Sequence, residues 1–259
     1  MTTTNATMNH PIVSREQWLA ERTKLMAREK ELTRLGDEIA RERRALPWVR
    51  IDKTYVFDTP AGRRTLADLF DGRRQLLVQH FMLAPGWEQG CKSCSYMADH
   101  TDPTLVHLAE RGVAFVAVSR APIEEIESFR RRMGWTFPWV SAHGTDFNHD
   151  FHVSFTADEM ASGKADYNFG DAPKGEEMPG VSAFWKDDAG KVFHTYSTYG
   201  RGVEVMMHTY RLLDLTPKGR DEDGLRFTME WVRHHDRYEP AKSAPATTAA
   251  KAAGACCGR

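Results

Sequence analysis

Apolar residues recur every seven positions near the start of the chain, at Trp18, Leu25, Leu32, Ile39 and Leu46. Leu19, Met26 and Leu35 widen that stripe, and charges of both signs fill the other faces. The periodicity predicts one long amphipathic helix. Ser14-Arg15-Glu16-Gln17 has the form of a capping box, which sets the start at Ser14, and Pro47 sets the end. Such a stripe either packs on the helix's own domain or forms a homodimer contact. Arg22, Glu29 and Gly36 interrupt the second apolar position that a coiled-coil seam requires, which favours packing on the domain.

From Lys53 the pattern shortens. Tyr55-Val56-Phe57 reads as a strand, 58–62 as a turn, 65–70 as a short helix or edge segment, and Gln75 to Leu83 as a buried strand. A helix follows Cys94, open to a break at Asp102-Pro103 and ended by Arg111-Gly112. The apolar run Val113 to Val118 has the texture of a parallel strand, a helix spans Pro122 to Met133, and 137–140 is extended. This β, α, β, α order predicts a parallel central sheet. The stretch 141–180 is irregular, rich in Asp, Asn, His and aromatic residues, and too long for an ordinary connection, so it is expected to cover part of the fold. A hairpin over 181–196, turned at Asp188-Ala189-Gly190, and a helix over 203–213 close the unit. The expected organisation is a disordered start (1–13), the long helix (14–46), an α/β domain (47–239) and a disordered tail (240–259).

Composition narrows the function classes. In 259 residues, 41% are hydrophobic and the formal net charge is -1, which suits a globular core and nominates neither nucleic acid nor an anionic membrane as partner. No apolar run is long enough to span a membrane and the N-terminus lacks the form of a secretory signal, so the expected location is the cytoplasm. Four cysteines are too few for a disulfide scaffold, and a close pair in a reducing compartment points to redox or metal chemistry.

That pair is Cys91 and Cys94, in QHFMLAPGWEQGCKSC, at the junction between a strand and a helix. Unpaired N–H groups at a helix start and the neighbouring Lys92 both favour a thiolate at Cys91, the candidate nucleophile; Cys94, one turn on, is the candidate resolving thiol. The redox-active disulfide itself would then be the only cofactor, with a protein or small-molecule disulfide as substrate and an external reductant. Three other readings use the same residues: a metal-binding or metallochaperone site completed by a histidine among His80, His143, His149, His152 and His194; a non-enzymatic redox sensor; and an inert buried pair. His234-His235-Asp236 is either a binding element or a polar helix end docked by Trp231. The aromatics Tyr96, Trp135, Phe137, Trp139, Tyr167 and Phe169 are expected mostly in the core. Cys256-Cys257 is either a swinging redox arm or, more simply, part of a functionless tail.

The order of elements is similar to the thioredoxin fold with an N-terminal extension. The stretches VSREQWL, ELTRLGDEIARERRALPWV, HFMLAPGWEQGCKSCSYMAD, MGWTFPWVS, FHTYSTYGRG, LDLTPKGR and WVRHHDRY resemble the bacterial family catalogued as domain of unknown function 899, over roughly 12–239. The resemblance implies a thioredoxin-like central sheet and dithiol-disulfide exchange by Cys91-Cys94. It also places Pro179 where such proteins carry a cis-proline facing the dithiol, and makes Trp87, Lys92 and Pro179 candidates for a substrate groove. Glu88 stands where peroxiredoxin-like sites need a hydroxyl, and Pro85 is one residue out of register, which disfavours peroxide reduction.

Overall fold

A computed structural model describes residues 10–239. The expectations for 1–9 and 240–259, Cys256-Cys257 included, lie outside the described residues. The chain divides into two units, one ending at Val49 and the next beginning at Arg50. The first holds the helix α1 (Arg15–Ala45), and the capping box is present: Gln17 N–H donates to Ser14 Oγ at 3.2 Å, and Ser14 N–H donates to Gln17 Oε1 at 3.0 Å. None of its residues is buried.

The second unit is built on a mixed sheet. In chain order the strands are β1 (Val49–Arg50), β2 (Val56–Thr59), β3 (Gly62–Thr65), β4 (Gln75–His80), β5 (Val113–Ser119), β6 (Trp139–Ser141), β7 (Gly180–Lys186) and β8 (Val192–Tyr199). Their spatial order is β1-β8-β7-β4-β5-β6-β2-β3. The centre, β4-β5-β6, is parallel, as the βα alternation requires, and β7 runs antiparallel to β4 with His80 opposite Gly180. The helices are α2 (Lys92–Thr101), α3 (Leu105–Glu110), α4 (Ile123–Met133), α5 (Phe147–Asp150), α6 (Ala157–Ser162) and α7 (His208–Leu213). A strand leading into a helix at a dithiol, a second parallel βα unit and a closing antiparallel hairpin make this a thioredoxin-like α/β fold. Among the described residues no helix is long and apolar enough to cross a membrane.

Alternation along β4 sorts its side chains onto two faces. Leu76 and Val78 join a core with Phe57, Phe70, Phe147 and Phe151, so part of the irregular 141–180 stretch covers that face of the sheet. On the other face, Phe81 and Leu83 pack with Cys94, Ala98, Ile126, Phe129 and Trp139, and here α2 and α4 are the cover. The dithiol therefore belongs to the α2/α4 side.

Two boundaries differ from the sequence reading and a third, left open there, is fixed. β4 ends at His80 instead of Leu83, because the chain leaves the ladder after Phe81 N–H bonds Val118 C=O. The helix after Cys94 breaks at Asp102-Pro103, with Asp102 Oδ1 turned to accept the N–H groups of Thr136 and Phe137, each at 2.9 Å. The helix expected over 203–213 is a 3-10 segment, Gly200–Met206, followed by α7; Met207 between them has non-helical φ/ψ of -106°/70°.

Candidate functional site

The loop after β4 is shaped so that the first thiol lands on a helix start. Cys91 N–H bonds Met82 C=O at 3.0 Å, which folds the loop back against the strand it left. Gly90 is buried beneath that turn, and a Cβ there would lie 2.5 Å from Phe81 Cε1 and 2.8 Å from Phe129 Cε1. Only glycine fits between those rings. Cys91 is then the N-cap of α2: its carbonyl accepts Ser95 N–H at 2.9 Å and Ser95 Oγ–H at 2.8 Å, leaving its side chain beside the free N–H groups of the first turn.

The two thiols are reduced and unequal. Cys91 is half-buried; Cys94, one turn further, is fully buried. Cys91 is lowered to about 6, first because the Cys94 thiol donates to it, then because the backbone N–H groups of Cys94 and Ser93 and the Ser93 hydroxyl do so, against the cost of burial. Cys94 is pushed well above the ordinary thiol range by the same hydrogen bond, by burial and by the charge on Cys91. The half-buried sulfur therefore favours the thiolate while the buried one keeps its proton.

Two residues hold this arrangement, Gln79, which the sequence did not single out, and His234 of the His234-His235-Asp236 run. Gln79, buried on β4, donates through Nε2 to Cys94 C=O at 3.0 Å. His234 Nε2 bonds Gly90 C=O at 2.9 Å from a buried position. The chain around His234 is not a helix end; only a 3-10 turn, His235–Arg237, follows it. His235 Nδ1 and Trp135 Nε1 meet on Asp99 Oδ1 at 2.6 and 2.8 Å, and Arg132 grips Asp236 through two bonds of 2.9 Å, so the segment is strapped across α2 and α4. Adjacent histidines in a polar run carry no periodicity that would have revealed this contact 144 positions away.

The three groove candidates do not converge. Trp87, exposed, lines a depression with Met82, Lys174 and Met178; Lys92 lines another with Arg132 and Arg233. Pro179 lines a third, a cleft of about 1110 Å³ whose wall includes Ser93, between the two cysteines in the chain. The described residues contain no cis peptide bond, so Pro179 is trans and the cis-proline expected from the fold is not present. Here Pro179 C=O accepts Tyr167 O–H at 2.7 Å, which anchors the chain by another contact.

Four of the five histidines offered as metal ligands, His80, His143, His152 and His194, have hydrogen-bond partners elsewhere. His80 Nε2 bonds Ser182 Oγ, Ser182 Oγ meets Ser197 Oγ, and His194 Nε2 bonds the same Ser197 Oγ, all at 2.7 Å. His143 and His152 bond the carbonyls of Arg120 and Asp166. Among the described residues no group of three or more His, Cys, Asp or Glu side chains is placed to hold a metal ion. Of the six aromatics, five are buried and Phe169 is exposed.

The model of a bacterial protein family of unknown function, DUF899, matches residues 7–238. The chain belongs to the DUF899 family. No curated protein matches it. Solved structures similar to this DUF899 protein include peroxidoxin BcpB of Mycobacterium tuberculosis, at 16% identity and a TM-score of 0.36 over 62% of this chain and 93% of that one. A yeast mitochondrial 1-Cys peroxiredoxin matches at 14% and 0.41 over 65% and 78%. A candidate protein disulfide isomerase from Bacteroides thetaiotaomicron matches at 18% and 0.37 over 66% and 92%. Likeness at this level carries no conclusion about what the DUF899 protein does.

Proposed function

We propose that this DUF899 protein is a dithiol-disulfide oxidoreductase that cycles Cys91 and Cys94 between dithiol and disulfide. One observation carries the reading: the half-exposed Cys91 is lowered to about 6 at a helix start while the buried Cys94 beside it is raised. Cys91 thiolate attacks a substrate disulfide, one substrate thiolate leaves, and a mixed disulfide forms at Cys91. Cys94 then gives up its proton and attacks Cys91 Sγ, expelling the second substrate thiol and closing the internal disulfide. An external reductant returns the pair to the dithiol. Burial of Cys94 suits this order, since its thiol meets Cys91 before anything in solution.

Trapping tests the proposal. In the Cys94→Ser protein the mixed disulfide has no resolving thiol, so a disulfide substrate should remain attached through Cys91 and be released by dithiothreitol. Equal capture by the Cys91→Ser, Cys94→Ser double variant would refute the assignment.

A further inference from the structure

Residues on either side of Cys91 in the chain border a depression of about 490 Å³ whose wall includes Lys92, Arg132, Arg233, Arg237 and His234. Lys92 is the first residue of α2, Arg132 comes from α4, and the other three from the strapped segment, so three parts of the chain converge on it. Four formal positive charges face two negative ones, Glu88 in the wall and Asp236, which is already held by Arg132. Lys92 and Arg233 are exposed and carry no carboxylate partner in the ion pairs found among the described residues. Arg233 Nη1 is spent on the carbonyls of Glu230 and Val232, which fixes the side chain in place. Burial, with the nearby Arg132 and Lys92 charges, lowers His234, against the Gly90 carbonyl and Asp236, which raise it.

A net positive hollow walled by residues that flank Cys91 is suited to select substrates by charge. Its volume is that of a small-molecule site, of order 300 to 1,000 Å³, and too small for a folded partner to enter. We propose that this depression binds the carboxylates of a small anionic organic disulfide, presenting its S–S bond to Cys91. This rests on the exchange chemistry proposed above and names the substrate class for it. The balance is complete without another reactant: Cys91 thiolate displaces one RS⁻ from RS–SR, Cys94 displaces the other from Cys91, and the two protons of the dithiol end on the two released thiols. The protein is oxidised by two electrons and RS–SR is reduced to two RSH.

The test compares three disulfides with the reduced full chain: dithiodiglycolate (dianionic), bis(2-hydroxyethyl) disulfide (neutral) and cystamine (dicationic). Each rate is divided by that of the same disulfide with dithiothreitol, which cancels leaving-group differences. Two partly exposed ion pairs predict a normalised preference of about tenfold for the dianion over the neutral compound, with the dication slowest, shrinking in high salt. Arg233→Glu and Lys92→Glu should each narrow the dianion-to-neutral ratio, and together invert it. Because the readout is a ratio, a change in thiolate content or in folded fraction does not mimic the effect. Equal normalised rates for the three disulfides, or a ratio untouched by Arg233→Glu, would overturn this inference while leaving exchange at Cys91 intact. Equal rates from wild type and Cys91→Ser would overturn both.

Discussion

Replacing Gly90 by alanine adds one methyl group to the most crowded point of the site. The new Cβ would sit 2.5 Å from Phe81 Cε1, 2.8 Å from Phe129 Cε1 and 3.1 Å from Phe81 Cζ, all closer than a carbon contact allows. Neither ring can swing away. Phe81 is 1% exposed and packs on Trp139 at a centroid distance of 4.3 Å, and Phe129 is wedged against Trp135 and His234. Forcing a methyl group into a packed core costs roughly 1 to 3 kcal/mol. The alanine restricts the unfolded chain and returns about 0.4 to 1 kcal/mol. The net loss should be about 1 to 2 kcal/mol, or a urea midpoint lower by about 0.5 M for a protein of this size. The backbone can instead relieve the clash by lifting residues 89–91, which breaks the His234 bond to Gly90 C=O and tilts Cys91 out of the N-cap. Iodoacetamide alkylation of Cys91 should then need a higher pH. An alanine variant with the wild-type midpoint and the wild-type alkylation profile would refute the reasoning that Gly90 is held by these rings.

Two further predictions follow from the titrating groups. Alkylation of Cys91 should rise with pH around a midpoint near 6, and Cys94→Ala, by removing the largest stabilising donor, should move that midpoint up; a wild-type midpoint near the free thiol value of about 8.5 would exclude a stabilised thiolate. His80, buried and stacked on Phe147 and Phe151, is depressed from 6.5 to about 3 by loss of solvation. Protonation therefore favours the unfolded chain: this group's full stability is present above about pH 6.5 and is lost as pH falls toward 3, by up to about 5 kcal/mol. Denaturation midpoints measured from pH 7 to 4 should fall less steeply in His80→Gln than in wild type, and parallel slopes would show that His80 does not carry the acid sensitivity.

The site was legible in the chain to the extent that its logic is local. A thiol at position 91, a second at 94 and an apolar run ending shortly before them already describe a strand, a turn and a helix start, because N–H groups at a helix start need no distant partner to be unpaired. The capping box at Ser14 and the break at Asp102-Pro103 were readable for the same reason. The groove was not. Trp87, Lys92 and Pro179 are close to the dithiol in sequence or by analogy, yet they line three different depressions, and the proline role fails with the trans bond. Residues that finish the site, Gln79, Gly90 and His234, carry no pattern of their own: Gln79 is one polar position in an apolar strand, and His234 meets Gly90 only after the chain has returned past α4.

What the sequence determined by itself is the main strands and helices of the central sheet, their thioredoxin-like βα order and the place of the Cys91-Cys94 pair at a helix start, since periodicity, turn chemistry and helix ends act over a few residues. Tertiary structure decided the inequality of the two thiols and the company they keep. The hydrogen bond between the two thiols, with burial, raises Cys94, the same bond with the first-turn N–H groups of α2 lowers Cys91, and the strapped segment brings Arg233 and His234 alongside Lys92. Solvation and charge depend on distance in space, and no spacing along the chain encodes that distance.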